Sequence, residues 1–271
     1  RLLFISLLIT AIVGTSIFTA FEANAKKKKR TPITLGPNPF ITHMFTADPS
    51  AHVWKDGRLY VYPSQDLNLP RGWDMDNYHV FSTDDMVNWK DHGEILNSSQ
   101  VPWGRPEGGC MWAPDCAYKD GTYYFYFPHP SETDIHCSWK VGIATSKHPA
   151  KDFKVQGYLK GIDDPCGMID PCVFIDDDGQ AYLYHGGCGR IIGAKMKDNM
   201  MELAEKPRNM EGLVDFHEGS WVHKRNGIYY LMYSDNVPHP EGNRLVYATS
   251  TNPLGPWTYQ GVILEATGSG T

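Results

Sequence analysis

Asp48, Asp170 and Glu218 each stand eight residues before the first residue of a D-G or N-G dipeptide, at Asp56, Asp178 and Asn226. Trp112 stands at the same distance from a fourth such dipeptide, at Asp120. Carboxylates gathered in one place can divide acid–base work: one, ionised, takes a proton from water, and another, protonated, gives a proton to a departing oxygen. An aromatic face among them offers a flat apolar surface to a ring. The bland alternative is that an acid ahead of a strand is ordinary turn chemistry, which is how Asp115 in Ala113-Pro114-Asp115 reads. Three acids at one shared distance weaken that alternative for Asp48, Asp170 and Glu218.

The elements that would hold these residues recur with them. Each copy has an extended stretch, the D-G or N-G turn, and then a run rich in β-branched and aromatic residues: Tyr60 to Tyr62, Tyr123 to Phe127, Ala181 to Tyr184 and Ile228 to Tyr233. That is the grammar of a β-hairpin. Third strands are expected from Val80, Val141, Ile191 and Leu245. Fourth strands are expected where an aromatic precedes a glycine by four residues, at Trp89/Gly93, Phe153/Gly157 and Trp257/Gly261, with Met200 to Leu203 in that place in the third copy. The turn glycines Gly57, Gly121, Gly179 and Gly227 lie 64, 58 and 48 residues apart. Four-stranded units at such intervals predict an all-β chain folded as a β-propeller. The first strand of each blade would line a central channel, so the three acids and Trp112 would meet at one of its mouths.

The segments A-D-P-S (Asp48), M-W-A-P-D (Trp112), I-D-P-C-V-F-I-D-D-D-G (Asp170) and H-E-G-S-W (Glu218) together resemble glycoside hydrolase family 43, in that family's order and spacing. The resemblance runs from about Pro39 to the end of the chain and implies a five-bladed β-propeller, of which about four blades are present and the fifth is incomplete at the C-terminal side. It implies Asp48 as general base, Glu218 as general acid, Asp170 beside Glu218 to keep the acid protonated and oriented, and Trp112 as a substrate-binding face. The reaction implied is hydrolysis of pentose-containing plant polysaccharides or oligosaccharides with inversion, as an α-L-arabinofuranosidase or a β-D-xylosidase. Inversion needs the two carboxyl groups about 6.5–9.5 Å apart, leaving room for a water.

Alternatives are endo-arabinanase activity and a non-catalytic carbohydrate-binding propeller, although the latter would be expected to lose one of the acids. A retaining fructan-cleaving propeller would read N-D-P, R-D-P and E-C where this chain reads A-D-P, I-D-P and E-G. No cofactor is required. The family resemblance allows a structural calcium in the channel, and no residue here is assigned to a metal.

The chain of 271 residues is 13% aromatic, with 8 Trp and 15 Tyr, which suits one β-rich domain, and 21% charged with net charge −6, which gives no polyanion-binding signal. Nucleic acid is not an expected partner; a carbohydrate is. Leu2 to Phe21 is an apolar run with Arg1 before it and Ala23-Asn24-Ala25 after it, which reads as a signal peptide over residues 1–25, then a basic linker over 26–38 and the propeller over 39–271. A membrane anchor is the rival, since the run is nearly long enough to span. The A-x-A site favours cleavage, and a secreted or periplasmic protein without stable membrane insertion is expected.

Polar stretches at Asn68 to Asn77, Asn97 to Gly109 and His129 to Trp139 suit loops at the channel mouth. Their tryptophans, Trp73, Trp103 and Trp139, are either sugar-stacking faces or the loops' own packing residues. Cys110 and Cys116 flank Trp112, and Cys166 and Cys172 flank Asp170. If those segments are inner strands of neighbouring blades, a bridge between them is sterically allowed, and the pairing of the six cysteines stays open. No CxxC or paired-histidine spacing suggests zinc.

Overall fold

A computed structural model of the chain describes residues 36, 38–67, 74–162, 167–187, 189–235 and 243–266. The expected signal peptide, Trp73, Cys166 and the last five residues lie outside this set. Among the described residues there are four antiparallel four-stranded sheets, arranged as blades of a β-propeller. Blade 1 holds β1 (Phe45–Val53), β2 (Leu59–Asp66), β3 (Met75–Thr83) and β4 (Lys90–Asn97). Blade 2 holds β5 (Asp115–Lys119), β6 (Thr122–Pro130), β7 (Trp139–Ser146) and β8 (Lys154–Tyr158). Blade 3 holds β9 (Cys172–Ile175), β10 (Ala181–Gly187), β11 (Arg190–Lys195) and β12 (Arg208–Asn209), and blade 4 holds β13 (Phe216–Arg225), β14 (Ile228–Asp235), β15 (Leu245–Ser250) and β16 (Thr258–Leu264). Among these residues no helix is long and apolar enough to cross a membrane.

The fourth strand of blade 3 is a correction. It is Arg208–Asn209, paired to Ile192 and Gly193, whereas Met200 to Leu203 forms a connection outside the strands, with isolated bridges from Glu202 to Lys160 and from Leu203 to Met196. In the other blades the glycine four residues after the aromatic takes a positive φ, 82° at Gly93, 129° at Gly157 and 135° at Gly261. The register of blades 2 and 4 shifts beside Gly157 and Gly261, so the motif marks a bulge that a side chain with Cβ would resist.

The cores lie between blades rather than within them. Tyr62, Tyr78, Phe125 and Phe127 fill the space between blades 1 and 2, Tyr126, Ile143, Val173 and Leu183 that between blades 2 and 3, and Tyr184, Leu231, Val246 and Trp257 that between blades 3 and 4. One tyrosine per junction also reaches across. Tyr62, Tyr126 and Tyr184 are each five residues past their turn glycine, and their hydroxyls donate to the carbonyls of Pro149, Met200 and Pro253 in the next blade, at 2.8, 2.8 and 2.5 Å. Buried phenols need such partners, and these ones fix the angle between neighbouring sheets.

The hairpins are not all alike, and this moves the candidate residues. In blades 2 and 4 the turns are two-residue: Lys119 pairs with Thr122 and Arg225 with Ile228, with φ of 49° and 76° at Asp120 and Gly121 and 51° and 77° at Asn226 and Gly227. In blades 1 and 3 the loops are longer, Val53 pairing with Leu59 and Ile175 with Ala181. There the carboxylates of Asp56 and Asp178 accept the amide hydrogens of Arg58 and Gln180, which holds the aspartate out of the left-handed region and leaves the positive φ to Gly57 and Gly179.

One equal distance in sequence therefore corresponds to two registers in space. The residue five past each turn glycine pairs with Ser50 in blade 1 and Cys172 in blade 3, seven before the glycine, but with Asp115 in blade 2 and Trp221 in blade 4, six before it. Asp48 and Asp170 share a slot with Ala113 and Gly219. Trp112 and Glu218 occupy the preceding slot, with Ala47 and Ile169.

Candidate active site

The inner strands β1, β5, β9 and β13 stand side by side around the channel, and the candidate residues sit at their mouth-side ends. Asp48 and Asp170 take left-handed backbone conformations, φ 47° and 50°, and the corresponding position on β13 is Gly219 at φ 68°. Non-glycine residues seldom adopt this region, and aspartate is among those that tolerate it. The register breaks around Asp48, between Ala47 and Ser50, and around Glu218, between Phe216 and Trp221. These bulges turn side chains out of the strand alternation toward the mouth.

The three acids come together there. Asp170 is 9% exposed, and its Oδ2 accepts the amide hydrogen of Gly219 at 2.9 Å, next to Glu218. Burial pushes the Asp170 carboxyl well above the usual carboxylate range, with the neighbouring charges of Glu218 and then Asp48 adding to it and the Gly219 amide opposing. Asp48 is open to solvent, yet the protein atoms crowded around it raise its pKa, helped by the charges of Glu218 and Asp66. Glu218 is flanked by His217, whose Nε2 lies 3.7 Å from Oε1. Three carboxyl groups that repel one another's charge, two of them shifted upward, favour retention of a proton within the set.

Trp112 borders the same group. Its carbonyl accepts the hydroxyl of the fully buried Tyr78 at 2.7 Å, and that phenol is pushed well above its ordinary pKa by burial and by the charges of Asp48, Cys110 and Asp170. The Trp112 ring is half-buried and tilts against the buried Trp139, centroids 4.4 Å apart. The loop that delivers it is pinned by Gly109 donating to Asp76 Oδ1 at 3.0 Å and Met111 donating to the Met75 carbonyl at 2.8 Å. Of the loop tryptophans, Trp139 is a packing residue, as is Trp103, which stacks on Phe127 and meets His129 and Tyr158 edge-on.

Asp115 departs from its reading as a turn residue. It is 1% exposed, accepts His52 Nε2 on Oδ1 at 2.7 Å, the Cys116 amide on Oδ1 at 2.8 Å and the Val173 amide on Oδ2 at 2.7 Å. One carboxylate thus ties β1, β5 and β9 together below the mouth. His52 stacks on Trp54 and tilts against Trp221 of blade 4, centroids 4.8 and 5.0 Å apart. A signal for this was present: aligned on their prolines, Pro49, Pro114 and Pro171 put Asp115 level with Ser50 and Cys172, on the inward-facing row.

The cysteine expectation also changes. Cys110, Cys116 and Cys172 are free and buried, so no bridge joins these residues flanking Trp112 to Cys172, and Cys137 is disulfide-bonded. Burial raises the pKa of all three free thiols, which keeps them unreactive packing groups. Among the described residues no group of three or more His, Cys, Asp or Glu is disposed to hold a metal ion, so these residues do not by themselves make a calcium cage.

Known proteins bear on this geometry in one direction. A xylosidase/arabinosidase of Bacteroides ovatus is 36% identical over 81% of this chain and 78% of that protein. Xylosidase/arabinosidase 43A of Humicola insolens is 36% identical over 84% of this chain and 82% of that protein. The crystal structure of a β-xylosidase/α-arabinofuranosidase from a compost metagenome, bound to xylotriose in a calcium-free form, superposes with a TM-score of 0.73 at 36% identity, covering 82% of this chain and 79% of that one. The sequence profile of glycosyl hydrolases family 43 matches residues 37–270, and the chain belongs to that family of O-glycosyl hydrolases.

Proposed function

We propose that the chain hydrolyses β-D-xylosidic or α-L-arabinofuranosidic bonds in pentose-containing plant glycans, with inversion at the anomeric carbon. The observation that carries this is the gathering of Asp48, Asp170 and Glu218 at one channel mouth, each charge felt by another. Asp48, open to solvent, takes a proton from water as the water oxygen attacks the anomeric carbon. Glu218 gives its proton to the glycosidic oxygen as that bond breaks. Asp170, hydrogen-bonded to the amide beside Glu218, holds the acid in place and contributes its own raised proton affinity to the pair. Trp112 presents its exposed face to the sugar ring.

The names of the relatives support the pentose substrates, since xylosidase and arabinosidase activities are paired in both. Release assays with p-nitrophenyl β-D-xyloside, p-nitrophenyl α-L-arabinofuranoside and debranched arabinan should show activity on one or both aryl pentosides. Turnover of arabinan alone would move the assignment to an endo-arabinanase. Proton NMR of the first turnover should show the product anomer opposite to the bond cleaved; a retained anomer would recast Asp48 as a nucleophile. Export is part of the same proposal, supported by Leu2 to Phe21 and the Ala23-Asn24-Ala25 site, and N-terminal sequencing of the mature protein should begin near Lys26.

A further inference from the structure

At the end of the channel opposite the acids, three positions close the junction between blades 3 and 4. They are Asp176, three residues before its turn glycine, and the cross-strand pair Lys224 and Tyr229. Asp176 accepts Lys224 Nζ on Oδ1 and the Tyr229 hydroxyl on Oδ2, so polar bonds seal that junction from within. The same three positions between blades 1 and 2 hold Trp54, Tyr118 and Tyr123, the two tyrosines pairing across β5 and β6. Ring centroids lie 4.7 Å apart for Tyr118 and Tyr123, 5.5 Å for Trp54 and Tyr123, and 6.4 Å for Trp54 and Tyr118. All three side chains are half-buried. Among the described residues neither tyrosine hydroxyl has a hydrogen-bond partner, and neither is closed off from water. Trp54 is fixed in place: its ring stacks on His52 and its Nε1 donates to the Tyr62 hydroxyl at 2.8 Å.

We propose that Trp54, Tyr118 and Tyr123 form a second carbohydrate-binding site, which takes a neutral pentose-rich polysaccharide and performs no chemistry on it. The choice of ligand rests on the function proposed above. Rings with an apolar body and a wet polar tip suit a sugar, whose C–H face lies on the ring while its hydroxyls reach the phenols. Because the rings are already held by one another and by His52, little ordering cost is left for binding. Charge points the same way. Lys55, with Nζ 4.9 Å from the Tyr118 centroid, and Asp56 are both exposed on the rim and offset one another, which suits an uncharged polyol. Asp48 opens β1 and Trp54 follows its last residue, six positions or about 20 Å of strand away. No single sugar touches both, so the platform holds one stretch of polymer while another is cut.

The test measures retention of the full chain on insoluble arabinoxylan, in an Asp48→Ala background so that the polymer is not consumed. Adding Tyr118→Ala and Tyr123→Ala should weaken retention by roughly 3- to 10-fold for each ring removed. Tyr118→Phe with Tyr123→Phe keeps the packing and removes only the hydroxyls, which guards against a folding defect; it should weaken retention by roughly 3-fold. In the chain that keeps Asp48, the same substitutions should slow release from arabinoxylan and leave kcat/KM on p-nitrophenyl pentosides unchanged. Retention equal to that of the parent in both tyrosine variants would overturn the proposal. So would an equal fall in activity on polymer and on aryl pentosides, since the rings would then act through the fold. Retention that depends on the rings in a chain that releases no pentose would sink the functional reading and keep the site.

Discussion

Asp170 Oδ2 and the amide of Gly219 are 2.9 Å apart, so the most deeply buried carboxyl of the site is fastened to the backbone step directly after Glu218. The glycine makes this possible because it accepts φ 68° without strain. The contact joins the start of β13 to the segment that leads into β9, its neighbour around the channel.

Asp170→Asn should separate stability from activity. The folded-state pKa of Asp170 is raised, so the stability associated with its proton is present below the unfolded value and lost as pH rises through the folded one. Asparagine has no proton to lose and keeps an acceptor for Gly219. The variant should be more stable than the wild type at pH 7, with the Tm difference growing between pH 4 and pH 7, while activity on unactivated glycosides falls. A Tm difference independent of pH would show that folding leaves the Asp170 pKa unchanged.

Glu218→Gln should discriminate by leaving group. Substrates whose leaving oxygen needs a proton should slow by roughly 10²- to 10⁴-fold, and dinitrophenyl glycosides far less. Because Glu218 is one of the charges raising the Asp48 pKa, the acid limb of the variant on the activated substrate should shift to lower pH. Asp48→Ala should depress both substrate types equally.

Asp115→Ala should cost about 1–3 kcal/mol, the range for leaving a buried hydrogen-bonding group without its partner, because it strands the Val173 amide and His52 together. Chemical denaturation measures it. A loss below about 1 kcal/mol would mean that the tie between β1, β5 and β9 contributes little.

Trp112→Ala should raise KM and also lower stability, by less than the ~3–5 kcal/mol of a fully buried tryptophan, since one side of the ring rests on Trp139. Trp112→Phe should recover most of the stability and part of the binding. An unchanged KM with a large drop in Tm would make Trp112 a packing residue.

The repeat, the hairpins and the four-strand blades were legible in the sequence, and so was the recurrence of acids that the fold brings to one end of the channel, because these depend on local chemistry: D-G and N-G dipeptides, aromatic and β-branched runs, and acids that recur ahead of them. The register was not. Counting back from the turn made Asp48, Asp170, Trp112 and Glu218 equivalent, whereas the folded hairpins separate Asp48 and Asp170 from Trp112 and Glu218 by one position. The difference arises from whether the aspartate of the turn enters the left-handed region, as Asp120 does, or uses its side chain to hold the next amide but one, as Asp56 and Asp178 do. Both outcomes suit the same dipeptide, and strand pairing selects between them. Asp115 was hidden for a related reason: its partners, His52 and Val173, are 63 and 58 residues away along the chain, and only the closing of three blades around the channel brings them to one carboxylate.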